Sequence, residues 1–175
     1  MGSKERTAYS LMLYVGAARA DVHRMTWRQI DEVESGVAYT RSKTGVGIEI
    51  SLHPELRRAL EHAPRDHITV INTAFGKPFT AGGFSQFMRA AIKAAGLPVD
   101  CKPHGLRKTL GRRLADDGAT AHEIMAVLGH TTLAEAERYT KEADRRRGGR
   151  AGIAKLRTRA TNSQTSPERL GKFQK

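Results

Sequence analysis

Apolar positions along this chain follow two different periods. From Lys4 to Gly16 they recur at helical spacing, with Leu11, Leu13, Tyr14 and Val15 giving a mostly buried face. A short second helix is predicted after Arg19-Ala20, with Val22 and Met25 on one side, and Trp27-Arg28-Gln29-Ile30 leads into a strand pattern. Val37–Thr40 and Ile48–Leu52 alternate as two strands, joined by the turn signal Ser42-Lys43-Thr44-Gly45. His53-Pro54-Glu55 opens a helix through Leu56 and Leu60, with proline near its first position. Ile68–Ile71 is strand-like and Gly76–Thr80 is a loop. Helical patterns then cover Gly83–Ala95, Pro103–Asp117, Ala121–Leu128 and Leu133–Arg146, with a weaker one over Ile153–Arg159. No internal repeat is visible. The predicted class is α+β, mostly helical, with one small antiparallel sheet near the front packed on a helical bundle.

Composition narrows the partner more than the fold. The 175 residues make one domain, or one domain and a tail. Aromatics are only 6%, so the core must come from Leu, Ile, Val, Ala and Met. A single cysteine, Cys101, excludes an internal disulfide framework and a cysteine-based zinc site. The longest apolar run, Leu11–Ala18, falls far short of the roughly 20 residues that span a bilayer. The start, Met1-Gly2-Ser3-Lys4, lacks a secretory pattern, so an intracellular, reduced, soluble protein is expected. The net charge of +12 favours a polyanion: DNA, RNA or an anionic membrane face. That charge is uneven. Residues 1–140 hold 19 basic and 15 acidic side chains, whereas residues 141–175 hold 11 and 3. Arg145-Arg146-Arg147-Gly148-Gly149-Arg150 and the stretch Thr161–Pro167 read as a helix breaking into a basic tail. Such a tail is either solvated or a strap on nucleic acid or a neighbouring subunit. Lys102, Arg107, Lys108, Arg112 and Arg113 form a second basic cluster inside the body.

The body cluster overlaps the string His104-Gly105-Leu106-Arg107. His130 follows Arg107 by twenty-three residues, and Tyr139 follows His130 by nine. On a helix His104 and Arg107 share a face. Arginine offers a planar fork of donors matched to two phosphate oxygens and keeps its charge. Histidine donates to an oxygen or moves a proton near neutral pH. Tyrosine can attack phosphorus and hold it covalently if something takes its proton, whose reference pKa is about 10. Each element alone is weak: an HxxR pair is usually a surface ion-pairing motif, and a tyrosine in Ala-Glu-Arg-Tyr usually packs its ring.

Taken together, order and intervals resemble the catalytic domain of the tyrosine recombinases, the phage-integrase family. The carriers are Lys-Pro-His-Gly-Leu-Arg-Lys at 102–108, Leu-Ala-Asp-Asp-Gly-Ala at 114–119, Glu-Ile-Met-Ala-Val-Leu-Gly-His at 123–130 and Ala-Glu-Arg-Tyr-Thr at 136–140. The likeness covers about residues 4–147. It implies site-specific recombination of double-stranded DNA, integrating or excising a mobile element. The chemistry implied is strand cleavage and rejoining through a 3′-phosphotyrosine, with no metal and no cofactor. By match, Tyr139 is the nucleophile, Arg107 and His130 hold non-bridging oxygens, and His104 accepts the tyrosine proton or orients the phosphate. Lys43, in the hairpin turn, fits the lysine that protonates the leaving 5′-oxygen; Lys77 is the rival but lies too late in the order. Lys102, Lys108, Arg112 and Arg113 are the expected DNA contacts. The resemblance also implies a homo-tetramer on DNA, an accessory DNA-bending or directionality factor, no membrane, and a bacterial or phage-encoded protein of the cytoplasm. Residues 1–147 are the expected catalytic domain, with 1–3 a vector remnant. Residues 148–175 are the basic tail, with a short helix docking in trans. The core-binding domain usual in this family is absent from the expected organisation.

One position departs from the pattern. The family's first arginine follows a glycine by two, with an acidic residue three later. Gly16 and Asp21 fit, which leaves Ala18 in the arginine position and predicts reduced or absent activity. A shift of one residue would use Arg19 instead, but that turns a helical side chain by about 100°. Two other readings compete. Residues 119–139 can pass for a helix-turn-helix DNA-binding module without chemistry, which gives His104, Arg107 and Tyr139 no linked role. A metal phosphoesterase would need a ligand set that His53, His62, His67 and His122 do not supply by spacing.

Overall fold

A computed structural model describes residues 3–31 and 36–162. The chain divides between Thr140 and Lys141 into two units. The first unit contains α1 (Lys4–Tyr14), α2 (Arg19–Val22), α3 (Arg28–Asp31), β1 (Gly36–Thr40), β2 (Gly47–Ser51), α4 (Pro54–Glu61), α5 (Ala81–Ala94), α6 (His104–Asp116) and α7 (Ala121–Leu128). Helix α8 (Leu133–Asn162) begins in the first unit and supplies the described part of the second.

Helix α1 is the hub of the first unit. Ser3 caps its start by accepting a hydrogen bond from the Arg6 amide, and Thr7, Ala8, Ser10, Leu11, Met12 and Leu13 are all buried. Burial around most of its circumference follows from packing against α2, α4, α5 and α6. The core on it is aliphatic, with Val22, Met25, Val37, Ile48, Leu56 and Ile71, plus Phe84 and Met88 from α5. A scarcity of aromatics is thereby met with Leu, Ile, Val and Met, as the composition required.

Strands β1 and β2 form an antiparallel hairpin in which Val37 pairs with Ile50 and Tyr39 with Ile48. Val37, Tyr39 and Ile48 point into the core, the outcome expected for period-two alternation. Gly45 closes the connection at φ +69°, its amide bonded to the Arg41 carbonyl. Helix α7 starts with a reciprocal box between Thr120 and Glu123 and ends at Gly129 in the left-handed region. A side chain at Gly129 would also strike Ile48 of β2, at 2.6 Å from Cδ1. The glycine therefore lets the hairpin pass close over the end of α7.

Trp27–Ile30, expected to lead into a strand pattern, overlaps one helical turn, α3, and β1 is the next element. Two sequence expectations are corrected. Ile68–Ile71 joins no named strand: Thr69 bridges Thr26 singly, and Trp27 and Val70 exchange backbone bonds with Ile68 and Met25. The pattern read as a strand is a crossing segment in which Ile68 is exposed and Thr69, Val70 and Ile71 are buried in succession, so its apolar run reflects burial without strand alternation. Helix α8 runs unbroken through Gly148, Gly149 and Gly152, so the break expected at Arg147 is absent and the weak Ile153–Arg159 pattern is part of α8. Glycine costs about 1 kcal/mol in a helix interior, and surrounding Arg, Lys and Ala favour helix enough to outweigh it. The remainder of the expected tail, from residue 163, lies outside the described residues.

Candidate active site

The end of α7 organises the site. Its last carbonyls carry the partial negative charge of the helix and need donors. Arg107 on α6 is buried and gives Nη2–H to the Leu128 carbonyl. Its Nη1 donates to the Gly16 carbonyl at 2.7 Å. Arg41, just past β1, donates Nη1–H to the next carbonyl, Gly129, at 2.8 Å. Two guanidiniums thus sit on adjacent carbonyls. Burial first, and then repulsion from Arg41, loosens the Arg107 proton, although a guanidinium remains charged at neutral pH.

His130 follows the Gly129 cap, its amide bonded to the Met125 carbonyl at 3.1 Å. Its ring lies parallel to that of Tyr139 on α8, with centroids 6.2 Å apart and planes within 6°. Tyr139 in turn lies over Gly111, one turn along α6 from Arg107. A Cβ at Gly111 would stand 2.8 Å from Tyr139 Cζ, so only glycine admits the ring there. Burial, then Arg107, holds the His130 pKa below the ordinary imidazole value, with Glu135 opposing. Its Nδ1 is buried with no hydrogen-bond partner among the described residues.

His104 opens α6 and is more exposed. Its pKa is also lowered, by desolvation first and then by Lys108, Arg107, Arg41 and Lys43. Lys43 projects from the exposed hairpin turn near enough to act on His104. That turn is pinned by Asp21: its buried carboxylate accepts from the Ser42 amide at 3.0 Å and from the Ser42 hydroxyl. Asp21, placed by the sequence three residues after Ala18, therefore orients the lysine-bearing turn. Lys77 sits on a different turn, bonded through its backbone to Thr73.

Ala18 caps α2 and lines a concavity with His104 and Arg107. Arg19 lines its rim, and is exposed on the first turn of α2. Lys102 belongs to the same concavity. Lys108 and Arg112 follow His104 along one side of α6, and Arg112 pairs with Asp116 at 3.6 Å. Arg113, nine residues from His104, lies about 180° round the axis and outside that row. The five residues selected for chemistry are therefore brought together in one unit, although Lys43 and Tyr139 are 96 positions apart.

Sequence reasoning missed Arg41, Tyr39 and Gly111. Tyr39 is buried beneath the site, and burial and then Asp21 push its pKa up to about 12, so its hydroxyl stays protonated. No local signal marked them: Tyr39 reads as a core position of β1, Arg41 lies just past the end of that strand, and Gly111 is one glycine in α6.

Residues 2–146 match the family model described as the phage integrase family. The chain belongs to the phage integrase family. Tyrosine recombinase XerC of Oceanobacillus iheyensis is 23% identical to this integrase-family chain over 152 residues, covering 80% of it and 50% of the relative. XerC of Listeria monocytogenes is 28% identical over 87 residues, covering 50% and 29%. Among solved structures, a lambda integrase (75-356) dimer bound to a COC′ core site superposes with TM-score 0.65 at 26% identity, covering 78% of this chain and 52% of that one. XerA recombinase gives TM-score 0.65 at 18% identity over 95% and 58%, a likeness of fold alone. The integrase-family chain spans between 29% and 50% of the length of these two curated relatives. The α+β architecture is that of tyrosine recombinase catalytic domains, as the resemblance implied.

Proposed function

We propose that this chain cuts and rejoins double-stranded DNA at specific sites, through a 3′-phosphotyrosine formed on Tyr139. The observation that carries the reading is the Tyr139 ring stacked on His130, with the buried Arg107 bound to the end of α7 and His104 within the electrostatic reach of Arg107 and Lys43. In the first step the Tyr139 oxygen bonds to phosphorus and its proton passes to His104. The lowered pKa of His104 leaves its imidazole neutral and able to accept. Arg107 and a ring N–H of His130 hold the non-bridging oxygens while charge builds on them. The bond from phosphorus to the 5′-oxygen breaks, and Lys43 gives that oxygen a proton. A 5′-hydroxyl from another strand reverses the steps, so bond energy is kept and no cofactor is consumed. A helix-turn-helix role for α7 and α8 would leave the stacked Tyr139–His130 pair and buried Arg107 without a task.

Lys102, Lys108 and Arg112, on the rim and on the adjoining side of α6, are proposed phosphate contacts along the duplex; Arg113 is proposed as a contact with a more distant phosphate. Ala18 offers only a methyl to the concavity, so one guanidinium of the family's pair is lacking and the rate is reduced. A homo-tetramer on DNA is proposed on the likeness to lambda integrase, one solved structure of which is a tetramer bound to a Holliday junction. Exposed Ile153 and Leu156 on α8 give such an assembly apolar side chains for docking in trans.

The test is a pool of nicked duplexes with randomised arms, in which a cleaved strand loses its short 5′-hydroxyl fragment and cannot be rejoined. DNA that stays on the protein after denaturation is recovered and sequenced. A defined duplex trapped by the wild-type chain and absent with Tyr139→Phe is expected. No adduct, or an equal adduct with Tyr139→Phe, refutes the reading.

A further inference from the structure

Arg41 is left over by the roles assigned above. It comes from the hairpin, not from α6, yet it reaches the same helix end as Arg107. Arg107 binds the Leu128 carbonyl and Arg41 binds the Gly129 carbonyl. Gly129 makes this approach possible: an added Cβ would lie 3.1 Å from Arg41 Cδ. Arg41 acts electrostatically on Arg107, His104 and His130, so its charge lies within the cluster and not beside it.

Among the described residues no carboxylate forms an ion pair with Arg41. Arg41 Nε is buried with no hydrogen-bond partner among the described residues. Asp21, the acid whose field reaches Arg107, is held by Ser42. A guanidinium has five donors, and one carbonyl engages only one of them. If Arg41 merely tied the hairpin to α7, a neutral donor would suffice and would avoid repelling Arg107. Two like charges placed together become favourable when one anion is shared between them. The anion that fits is a phosphodiester.

We propose that Arg41 is a second guanidinium donor to the scissile phosphate, acting beside Arg107 where position 18 supplies only a methyl. The inference rests on the recombinase reading of the site and adds a residue to it. Arg41 approaches from the α7 side of Arg107, whereas Ala18 lies on the Gly16 side, so the site keeps two guanidiniums in a different arrangement.

The experiment uses the duplex recovered with the wild-type chain, made in two forms. One carries the ordinary scissile phosphodiester. The other carries a methylphosphonate there, which has no negative charge to neutralise. Single-turnover adduct formation on Tyr139 is measured for wild type, Arg41→Gln and Arg41→Lys. Arg41→Gln is expected to slow the phosphodiester reaction by about 10²-fold, the usual effect of losing one transition-state donor. On the methylphosphonate its penalty should shrink to about tenfold or less, because the charge it answered is gone. Arg41→Lys, which keeps the charge without the fork, should fall between wild type and Arg41→Gln. It supplies the same comparison if the glutamine variant does not fold. An equal penalty on both substrates would mean that Arg41 only holds the Gly129 backbone, and would overturn the proposal. So would a variant as fast as wild type. A wild-type chain that traps no duplex through Tyr139 fails the recombinase reading itself, and the Arg41 role falls with it.

Discussion

Gly111→Ala separates the placing of Tyr139 from the stability of the fold. The new Cβ would stand 2.8 Å from Tyr139 Cζ, 2.9 Å from Cε1 and 3.0 Å from Leu128 Cδ1. Carbon atoms pack best at about 3.5–4.0 Å, so the ring must retreat by about 0.7 Å. Misplacing a reacting group by about 1 Å can cost about 10²-fold in rate. Stability should change far less. Alanine is better than glycine inside a helix by about 1 kcal/mol, while the crowding costs about 1–3 kcal/mol. The net is a loss of about 0–2 kcal/mol. Gly105 on the same helix has nothing within 4 Å of its added Cβ, so Gly105→Ala is the control for helix propensity. Thermal denaturation and single-turnover adduct formation are measured on both variants. A loss of about 10²-fold in adduct rate with a modest change in Tm is expected for Gly111→Ala. Gly105→Ala should leave the rate near wild type. If Gly111→Ala raises Tm and keeps the wild-type rate, Tyr139 does not rest on Gly111 when it reacts.

Gly16→Ala should be destabilising whatever the site does. Gly16 has φ +65°, and its added Cβ would meet Leu128 Cδ2 at 2.7 Å. The left-handed backbone costs about 1–2 kcal/mol and the overlap about 1–3 kcal/mol. A urea midpoint equal to wild type would refute this. His104 and His130 should titrate below the unfolded value of about 6.5, since burial and neighbouring cations disfavour their charged forms. Between folded and unfolded pKa the unfolded chain binds more protons, so these two groups make stability rise with pH; their contribution is present above about 6.5 and is lost as pH falls through the folded values. Imidazole NMR midpoints above 6.5 in the free protein would contradict the sign. Ala18→Arg should raise adduct formation by about tenfold, less than the full worth of a donor because Arg41 already supplies one. Arg19→Ala should matter by no more than about twofold, since its side chain lies exposed at the rim. The opposite pattern would make Arg19 the first arginine.

Residue order alone carries the local elements and the candidate chemistry. Helix α7, the hairpin and the start of α6 were legible because their signals are local: Thr120 with Glu123, Ser42–Gly45 between alternating runs, and apolar spacing. His104, Arg107, His130, Tyr139 and Lys43 were legible through their order and intervals, and Ala18 as a departure from that order. Ile68–Ile71 misled because a short β-branched run is apolar when it crosses the core as well as when it pairs in a sheet, and the glycines of α8 misled because flanking helix formers outweigh them. Which backbone groups the charges meet depends on packing between distant elements. Leu128 and Gly129 carry their carbonyls as any residues do, and nothing in their side chains announces Arg107 and Arg41. Gly111 is one glycine in a helix until Tyr139, 28 residues later, lies on it. Periodicity reports which face of an element is apolar, whereas a site depends on what another element lays against that face. That second fact is set by packing between residues far apart in the chain.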